Sequence, residues 1–507
     1  MFKNVTALCL AIVFPLLLVA QVLPKDGSFI NYRIIGFSFP EKAKNSYVLE
    51  IARGTHFIED SFVGKVFVKH PSKTNKLIEE VPSFGRDYTW RVVYTSDKKV
   101  LTKSPLHHFS TQYYKWVDST QNRLRIIDSA KKYKSDFVFI EAYKAVYDMN
   151  GRPVWCLPPV DGVTSEYATP QDMQVTNQGT ATFLYDGLAG YEINYNGKIL
   201  FRTPKEGKVS TDTDEYIHHE FRRLSNGNYM TMGSELADHD RSFAAANDST
   251  ALYFPRDGRK KVATNSGYQK TPFGTVIEYN KKGQIVWSWR SANYFKTSDI
   301  FNHLTKGDYI DINAHENSFF FDEKAKMLYV GFRDISRVLK IKYPEGKVLK
   351  AYGETLKPHE REAGNGVFCK QHSLKVTSKG NILLYNNNAC HFTGFPSVVM
   401  FDPNTSDGER INKVWEYVCP IEGEKGPTQS RFQFTYGGNV VELPGGDIFV
   451  SMSTLYCRSL IVSSDKKILW SAIPEHWNRE LRIWENVMQY KASPVSRKDF
   501  EKWVWDQ

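Results

Sequence analysis

From about residue 119 the chain alternates short apolar runs with small polar turns, and the alternation recurs. One unit, an apolar strand, a turn and a strand ending on a large residue, reads AVYDMNGRPVW at 145–155 and YEINYNGKILF at 191–201. It returns as VIEYNKKGQIVW at 276–287, VLKIKYPEGKVL at 338–349, VVMFDPN…INKVW at 398–415 and SLIVSSDKKILW at 459–470. Copies two to six are each preceded by a hairpin whose turn is NQGT, SNGN, EKAK, SKGN or PGGD. Period-two patterning bounded by such turns predicts strands. Four strands per copy, repeated six times, predict a six-bladed β-propeller over 119–507. Two stacked sandwiches would supply the strands but not the repeated Trp ending. The longest spacer, about 233–272, is polar and is expected to be a loop in the third blade that covers one face. Helical periodicity is weak, apart from short segments near 474–482 and 497–505.

Residues 24–118 pattern differently. SYVLEIA, GKVFVKH and YTWRVVYT are strand-like runs between polar turns, and Tyr88, Trp90 and Val92 alternate onto one face. The stretch predicts a small β-sandwich and resembles a fibronectin type III or Ig-like domain. The fold class is therefore all-β, a sandwich followed by a propeller. An aromatic content of 14% agrees, since Tyr and Phe favour strands.

A net charge of +10 and a pI near 9.0 suit an anionic ligand. No Lys/Arg-rich block stands out, so nucleic acid is not an expected partner. Met1-Phe2-Lys3 followed by an apolar run from Val5 reads as a secretory signal peptide over 1–20, and places the protein in the periplasm or otherwise outside the cytoplasm. The run reaches Leu23, so an uncleaved membrane anchor is the alternative. Without Cys9 an odd number of cysteines remains, which allows up to two disulfides and one leftover thiol.

Candidate chemistry lies where innermost strands begin: HHEFRRLSNGN at 218–228, AHENSFFFDEKAK at 314–326 and QHSLKVTSKGN at 371–381. His219 and His372 each precede a turn asparagine, Asn228 and Asn381, by nine residues, and His315 matches if its hairpin is two residues longer. Three consecutive blades thus offer imidazoles to one channel mouth. His218, shifted by one residue, is expected to point to the other face and ranks below His219. Arg333 returns beside His315 on the next strand, and Asn317 shares its face. No Asp or Glu falls in register. Arg, Asn and imidazole donors suit a tetrahedral oxyanion better than a metal, so neither a metal site nor a cofactor is expected. Tyr436, at the start of the corresponding strand of blade six, is a further candidate for the same mouth, with a core or rim position as its alternative.

Together HHE, AHENS…GFR, QHSL and a late WENVMQYKAS resemble the bacterial arylsulfate sulfotransferases (ASST) over most of the chain. That resemblance implies a ping-pong transfer from an aryl sulfate donor to a phenolic acceptor, independent of nucleotide sulfates. It makes His372 the nucleophile that becomes a sulfohistidine, with Arg333 and Asn317 on the sulfuryl oxygens. His219 and His315 would bind those oxygens or move protons, and an imidazole near its ordinary pKa of about 6.5 would match that task. Family members can carry a disulfide close to the catalytic histidine. Cys369 and Cys390, symmetric about the Ser378–Asn381 turn, are the expected pair, and a homodimer is admitted. The residues alone leave open a sulfate-ester hydrolase or lyase, and a non-catalytic surface propeller that binds an anionic ligand.

Overall fold

A computed structural model describes residues 22–506 apart from 43–45, 97–98, 130, 166, 205–208, 210–215, 241–267, 296–313, 354–362, 390–394, 406–409, 421–435 and 454–456. The signal-like segment lies outside the described residues. No described helix is long and apolar enough to cross a membrane. The chain is all-β and divides into two compact units, one ending at Tyr113 and the other beginning at Tyr114.

In the first unit one sheet runs Ser28–Ile30, His107–Thr111, Asp87–Ser96, Ser46–Arg53, Val66–Ser72, and a second pairs Ile34–Ser38 with Lys76–Glu80. Phe37 of the small sheet meets Trp90 of the large one edge-on at 5.1 Å. Tyr88, Trp90 and Val92 are buried as their alternation requires, but Thr89 and Arg91 between them are buried too. Arg91 is tolerated there because Glu50, at 2.8 Å, and Glu59 of the short helix Glu59–Val63 neutralise it.

Among the described residues the second unit contains six antiparallel sheets, here I to VI. Sheets II to VI begin with inner strands Gln171–Val175, His218–Arg223, Glu316–Asp322, His372–Val376 and Asn439–Glu442. Sheets II to V each add three strands outward in chain order, and VI adds three and then Ile483–Asn486, with Asn122–Asp128 also paired to its fourth strand. Sheet I differs. Its inner strand is Ala492–Val495, from the far end of the chain, paired with Phe137–Ile140. The repeat as read from sequence starts at 145 and misses this strand, because the two halves of sheet I lie about 350 residues apart. The helix Arg497–Val504 forms where one was expected, but 474–482 continues the strand Ile468–Asn478, whose partner Asn122–Asp128 also comes from a distant part of the chain. The expected loop of blade three begins and ends as strand, Tyr229–Asp240 against Tyr268–Tyr279, and its centre lies outside the described residues.

Hydrogen bonds at the inner strands tie each sheet to the next, and a second set at the outer strands joins four of the six neighbouring pairs. At the inner strands Glu141 of sheet I accepts from the Asp172 and Lys491 backbone N–H groups, at 2.7 and 2.8 Å. Asp172 accepts from the Phe221 N–H, and Glu220 from the Phe319 N–H. Asn317 then donates to the Gln371 carbonyl, Ser373 accepts from the Val440 N–H, and Asn439 donates to the Ala492 carbonyl. The sequence of bridges runs I to VI and back to I. At the outer strands the recurring Trp explains itself. The indole N–H of Trp155, Trp287, Trp415 and Trp470 donates to the carbonyl of Tyr195, Pro344, Ser464 and Met149, each in a turn of the following sheet. Where the repeat has Phe201 instead, the ring stacks on Tyr229 of the next sheet at 3.7 Å. In five of the six copies the large terminal residue is thus an inter-sheet clasp; the fourth ends on the exposed Leu349.

Sheet I is secured by the C-terminal helix, with Phe500 stacked on Phe137 at 4.1 Å and buried Trp503 beside Trp155 at 4.6 Å. Trp503→Ala removes the largest of these contacts and is expected to cost the second unit about 3–5 kcal/mol. The check is a lower urea midpoint at an unchanged slope.

Candidate active site

The inner strands of sheets II to V each carry a bulge at their beginning, where pairing skips from Gln171 to Gln174, His218 to Phe221, Glu316 to Ser318 and His372 to Leu374. Asp172, His219, His315 and Ser373 sit in or beside these bulges with φ between 48° and 62°. Bulges re-aim side chains and break strict alternation. The consequence is a correction for His218. Its pairing opposite Met232 corresponds to that of His372 opposite Tyr385, because sheet III has one more bulged residue than sheet V. His218 does not turn to the other face. Its Nδ1 lies 2.6 Å from Nδ1 of His219, and its Nε2 lies 2.8 Å from the Ser234 hydroxyl and 3.3 Å from the Glu316 carboxylate.

His372 is only 2% exposed and held at both ring nitrogens. Asn387 donates its amide N–H to the Gly437 carbonyl, which leaves Asn387 Oδ1 to accept from His372 Nδ1 at 2.7 Å. The Gly437 backbone N–H can only donate, and it faces His372 Nε2 at 3.1 Å. These partners assign the proton to Nδ1 and the lone pair to Nε2. Gly437 has φ +66°, and a Cβ there would stand 2.3 Å from the Tyr490 carbonyl oxygen, so only glycine allows the approach.

The other predicted groups come to the same end of the unit. The rings of His219 and His315 are 5.5 Å apart. Arg333, buried, donates its backbone N–H to the His315 carbonyl and ion-pairs through its guanidinium with Asp334. Tyr436 is 36% exposed and its ring lies 5.8 Å from the Arg333 guanidinium, which places it at the rim. Asn317 is the exception in role. Its amide is fully buried and bonded to the Gln371 carbonyl, one residue before His372. It bridges sheet IV to sheet V and holds the strand of His372.

Carboxylates are present, contrary to expectation. Asp334 faces His315 Nδ1 at 3.4 Å as well as Arg333, and Glu316 faces His218. Glu316 escaped notice because the bulge moves it out of simple register, and Asp334 because it lies in the turn after Met327–Phe332. Beneath the histidines a second charged cluster is almost fully buried. Lys491 lies 3.3 Å from Glu220 and 3.8 Å from Asp172, Lys375 lies 3.6 Å from Glu220, and Arg222 lies 3.0 Å from Asp172. Burial opposes the Glu220 charge, but Lys375, Lys491 and Arg222 together bring its pKa down to about 2. Burial pushes the Glu141 carboxyl up to about 8. Among the described residues no group of three or more His, Cys, Asp or Glu is arranged to hold a metal ion.

Burial is also the first cause that lowers His219 and His372 well below the usual histidine range; the neighbouring rings add to it at His219 and Arg333 at His372. An ordinary pKa was expected of His219, and both rings are instead neutral. The unfolded chain protonates each histidine below about pH 6.5, whereas the folded one does not until far lower pH. Below about 6.5 each ring therefore removes about 1.4 kcal/mol of stability per pH unit as pH falls, until its folded pKa is reached. Urea titrations between pH 7.5 and 5 should show His372→Asn losing stability less steeply than the parent protein by that amount.

Tyr490 was not singled out by sequence. Its ring stands 5.9 Å from both His219 and His372, and its buried hydroxyl has no partner among the described residues. Burial raises its pKa well above the ordinary value, so it is a neutral phenol. It lies just before the Ala492–Val495 strand, the place sheet I reserves for a site residue. Asn387 and Gly437 were missed because neither type signals chemistry alone. Of the cysteines, Cys369 is disulfide-bonded, and Cys390 lies outside the described residues. Cys156, Cys419 and Cys457 are buried free thiols, so the sequence allowance of a second bridge is not used among them.

Residues 239–411 match the family model described as Arylsulfotransferase (ASST), a segment that contains His315, Asn317, Arg333 and His372. The match bears out the resemblance and points to arylsulfotransferase activity. No curated protein matches the chain. Among solved structures, a protein of unknown function from Bacteroides caccae is 13% identical with TM-score 0.40, covering 74% of this chain and 99% of its own. An auxiliary nutrient binding protein from Bacteroides thetaiotaomicron is 9% identical with TM-score 0.34, covering 95% of each. At such scores these likenesses carry no argument about this chain.

Proposed function

We propose, from the arylsulfotransferase match and the held state of His372, that this chain transfers a sulfuryl group from an aryl sulfate to a phenol through a sulfohistidine. The carrying observation is a buried, neutral imidazole with its Nε2 lone pair fixed and a guanidinium close by. In the first half-reaction Nε2 attacks sulfur, the S–O(aryl) bond breaks, and the electron pair leaves with the phenolate. The sulfur takes the place of the Gly437 N–H on Nε2, which frees that N–H for a sulfuryl oxygen beside Arg333. Asn317 acts through Gln371 rather than as a direct ligand.

The proton roles divide by partner. His315 faces the Asp334 carboxylate, which accommodates an imidazolium, and is assigned delivery of a proton to the leaving phenolate. His218 directs Nε2–H toward Glu316 and Ser234, so its Nδ1 accepts from His219 Nδ1–H. His219 Nε2 then carries a lone pair and takes the proton of the acceptor phenol as its oxygen attacks sulfur and the N–S bond breaks. One proton is given and one taken per cycle. The six linked sheets are read as propeller blades around this site, with residues 24–118 a sandwich domain and export directed by residues 1–20. A Cys369–Cys390 bridge would brace the strand that carries His372.

A chromogenic aryl sulfate, incubated with and without added phenol, tests the proposal. Phenol-dependent release of the chromophore and a sulfated His372 peptide are expected. Phenol-independent release would instead make the chain a sulfate-ester hydrolase, and no release at all would favour an anion-binding protein.

A further inference from the structure

A cavity of about 450 Å³ lies at the opposite end of the same six inner strands from the histidines, and each sheet contributes to its wall. The contributors include Ser493, Val175, Arg222, Phe319, Lys375 and Val441, taken in order from sheets I to VI. In sheets I, III, IV and V the contributor sits three or four positions further along the chain than Tyr490, His219, His315 and His372. At a strand rise near 3.3 Å, this puts the cavity on the order of 10 Å below the imidazoles. The buried charge cluster separates the two.

The sides of that cluster are unequal. Its carboxylates, Asp172 and Glu220, are 1% and 0% exposed, whereas Arg222 and Lys375 keep 17% and 13% of their side chains open and line the cavity. Glu323 and Asp499 also line the cavity, but they are engaged by Ser225 and Ser496, whereas the guanidinium and the ammonium face it with their counter-charges behind them. Phe319, Val175 and Val441 supply apolar walls. Ser493, 2% exposed, has a buried hydroxyl with no hydrogen-bond partner among the described residues. Such a group is unfavourable unless something in the cavity bonds to it. Two cationic heads, an apolar wall and an unpaired hydroxyl make a small site of the usual kind, mostly apolar with a few converging polar groups.

We propose that this cavity is a second binding site, distinct from the histidine site, for a small aromatic monoanion such as an aryl carboxylate. Its anionic end would lie on Arg222 and Lys375, its ring against Phe319 and Val441, and one oxygen on the Ser493 hydroxyl. The inference does not depend on sulfuryl transfer, since none of these residues belongs to the proposed reaction.

Benzoate serves as the probe and benzyl alcohol as its neutral control. The intact protein is treated with acetic anhydride at pH 8, and acetylation of Lys375 is followed by peptide mass mapping. Saturating benzoate is expected to slow Lys375 acetylation at least tenfold relative to exposed lysines, and benzyl alcohol to leave it unchanged. The protection should persist in His372→Asn and disappear in Val441→Phe, which fills the cavity without altering charge. An unchanged Lys375 rate under benzoate in the parent protein overturns the proposal even if Val441→Phe does not fold. Equal protection by benzyl alcohol, or protection that vanishes in His372→Asn, overturns it as well.

Discussion

His372→Asn is expected to abolish sulfuryl transfer, with a loss of at least about a thousandfold in turnover, while the protein remains folded. The size follows from what the substitution removes. Asparagine offers an amide nitrogen whose lone pair is delocalised, so no N–S intermediate can form. The two bonds that hold the imidazole are also lost, and the Gly437 N–H is left without its acceptor. One unpaired buried donor costs about 1–3 kcal/mol, which a unit of this size survives. Circular dichroism and the urea midpoint separate this modest loss from unfolding. Mass mapping after incubation with aryl sulfate alone should find the sulfated peptide in the parent and none in the variant. Near-parental transfer by folded His372→Asn would remove His372 as the nucleophile and turn attention to His219, the half-buried ring whose pKa is also held low.

How much of this was legible beforehand depends on whether a feature is local. The Trp that ends four of the six repeats could be read directly, since the same inter-sheet clasp recurs at Trp155, Trp287, Trp415 and Trp470. His219, His315, His372 and Arg333 could be read because repeat spacing marks where inner strands begin. Two things escaped. The first is chain closure: Ala492–Val495 completes sheet I across the length of the unit, and with it come Tyr490 and Lys491. No local pattern announces a strand whose partner lies about 350 residues away. The second is bulge geometry. Alternation predicts opposite faces for His218 and His219, but positive φ at His219 brings their Nδ1 atoms within 2.6 Å. The same irregularity hid Glu316, and Asp334 was hidden in the turn after Met327–Phe332; these are the carboxylates on which the proposed proton roles rest.

Arg333→Leu is expected to be damaging in two separable ways. Arg333 forms an ion pair with Asp334, whose carboxyl is held well below the usual range; burial opposes the charge, and Arg333 and then His315 overcome it. Without the guanidinium a buried carboxylate keeps the His315 ring and the weaker pull of Lys370, and loss of one partner from such a pair costs about 3–5 kcal/mol. The proposed sulfuryl oxygens also lose their positive donor, which costs about 100- to 1000-fold in turnover. The double variant Arg333→Leu/Asp334→Asn removes both charges and should regain most of the stability and none of the activity. A third readout distinguishes catalysis from support. Arg333 is the largest single charge that lowers the His372 pKa, so its loss raises that pKa toward the ordinary value. Residual transfer in the double variant should therefore fade at a higher pH as the medium is acidified, because a protonated Nε2 cannot attack sulfur. Recovery of activity along with stability would mean that Arg333 serves only as the counter-ion of Asp334, and the sulfuryl oxygens would then need another donor, with the Gly437 N–H the nearest at hand.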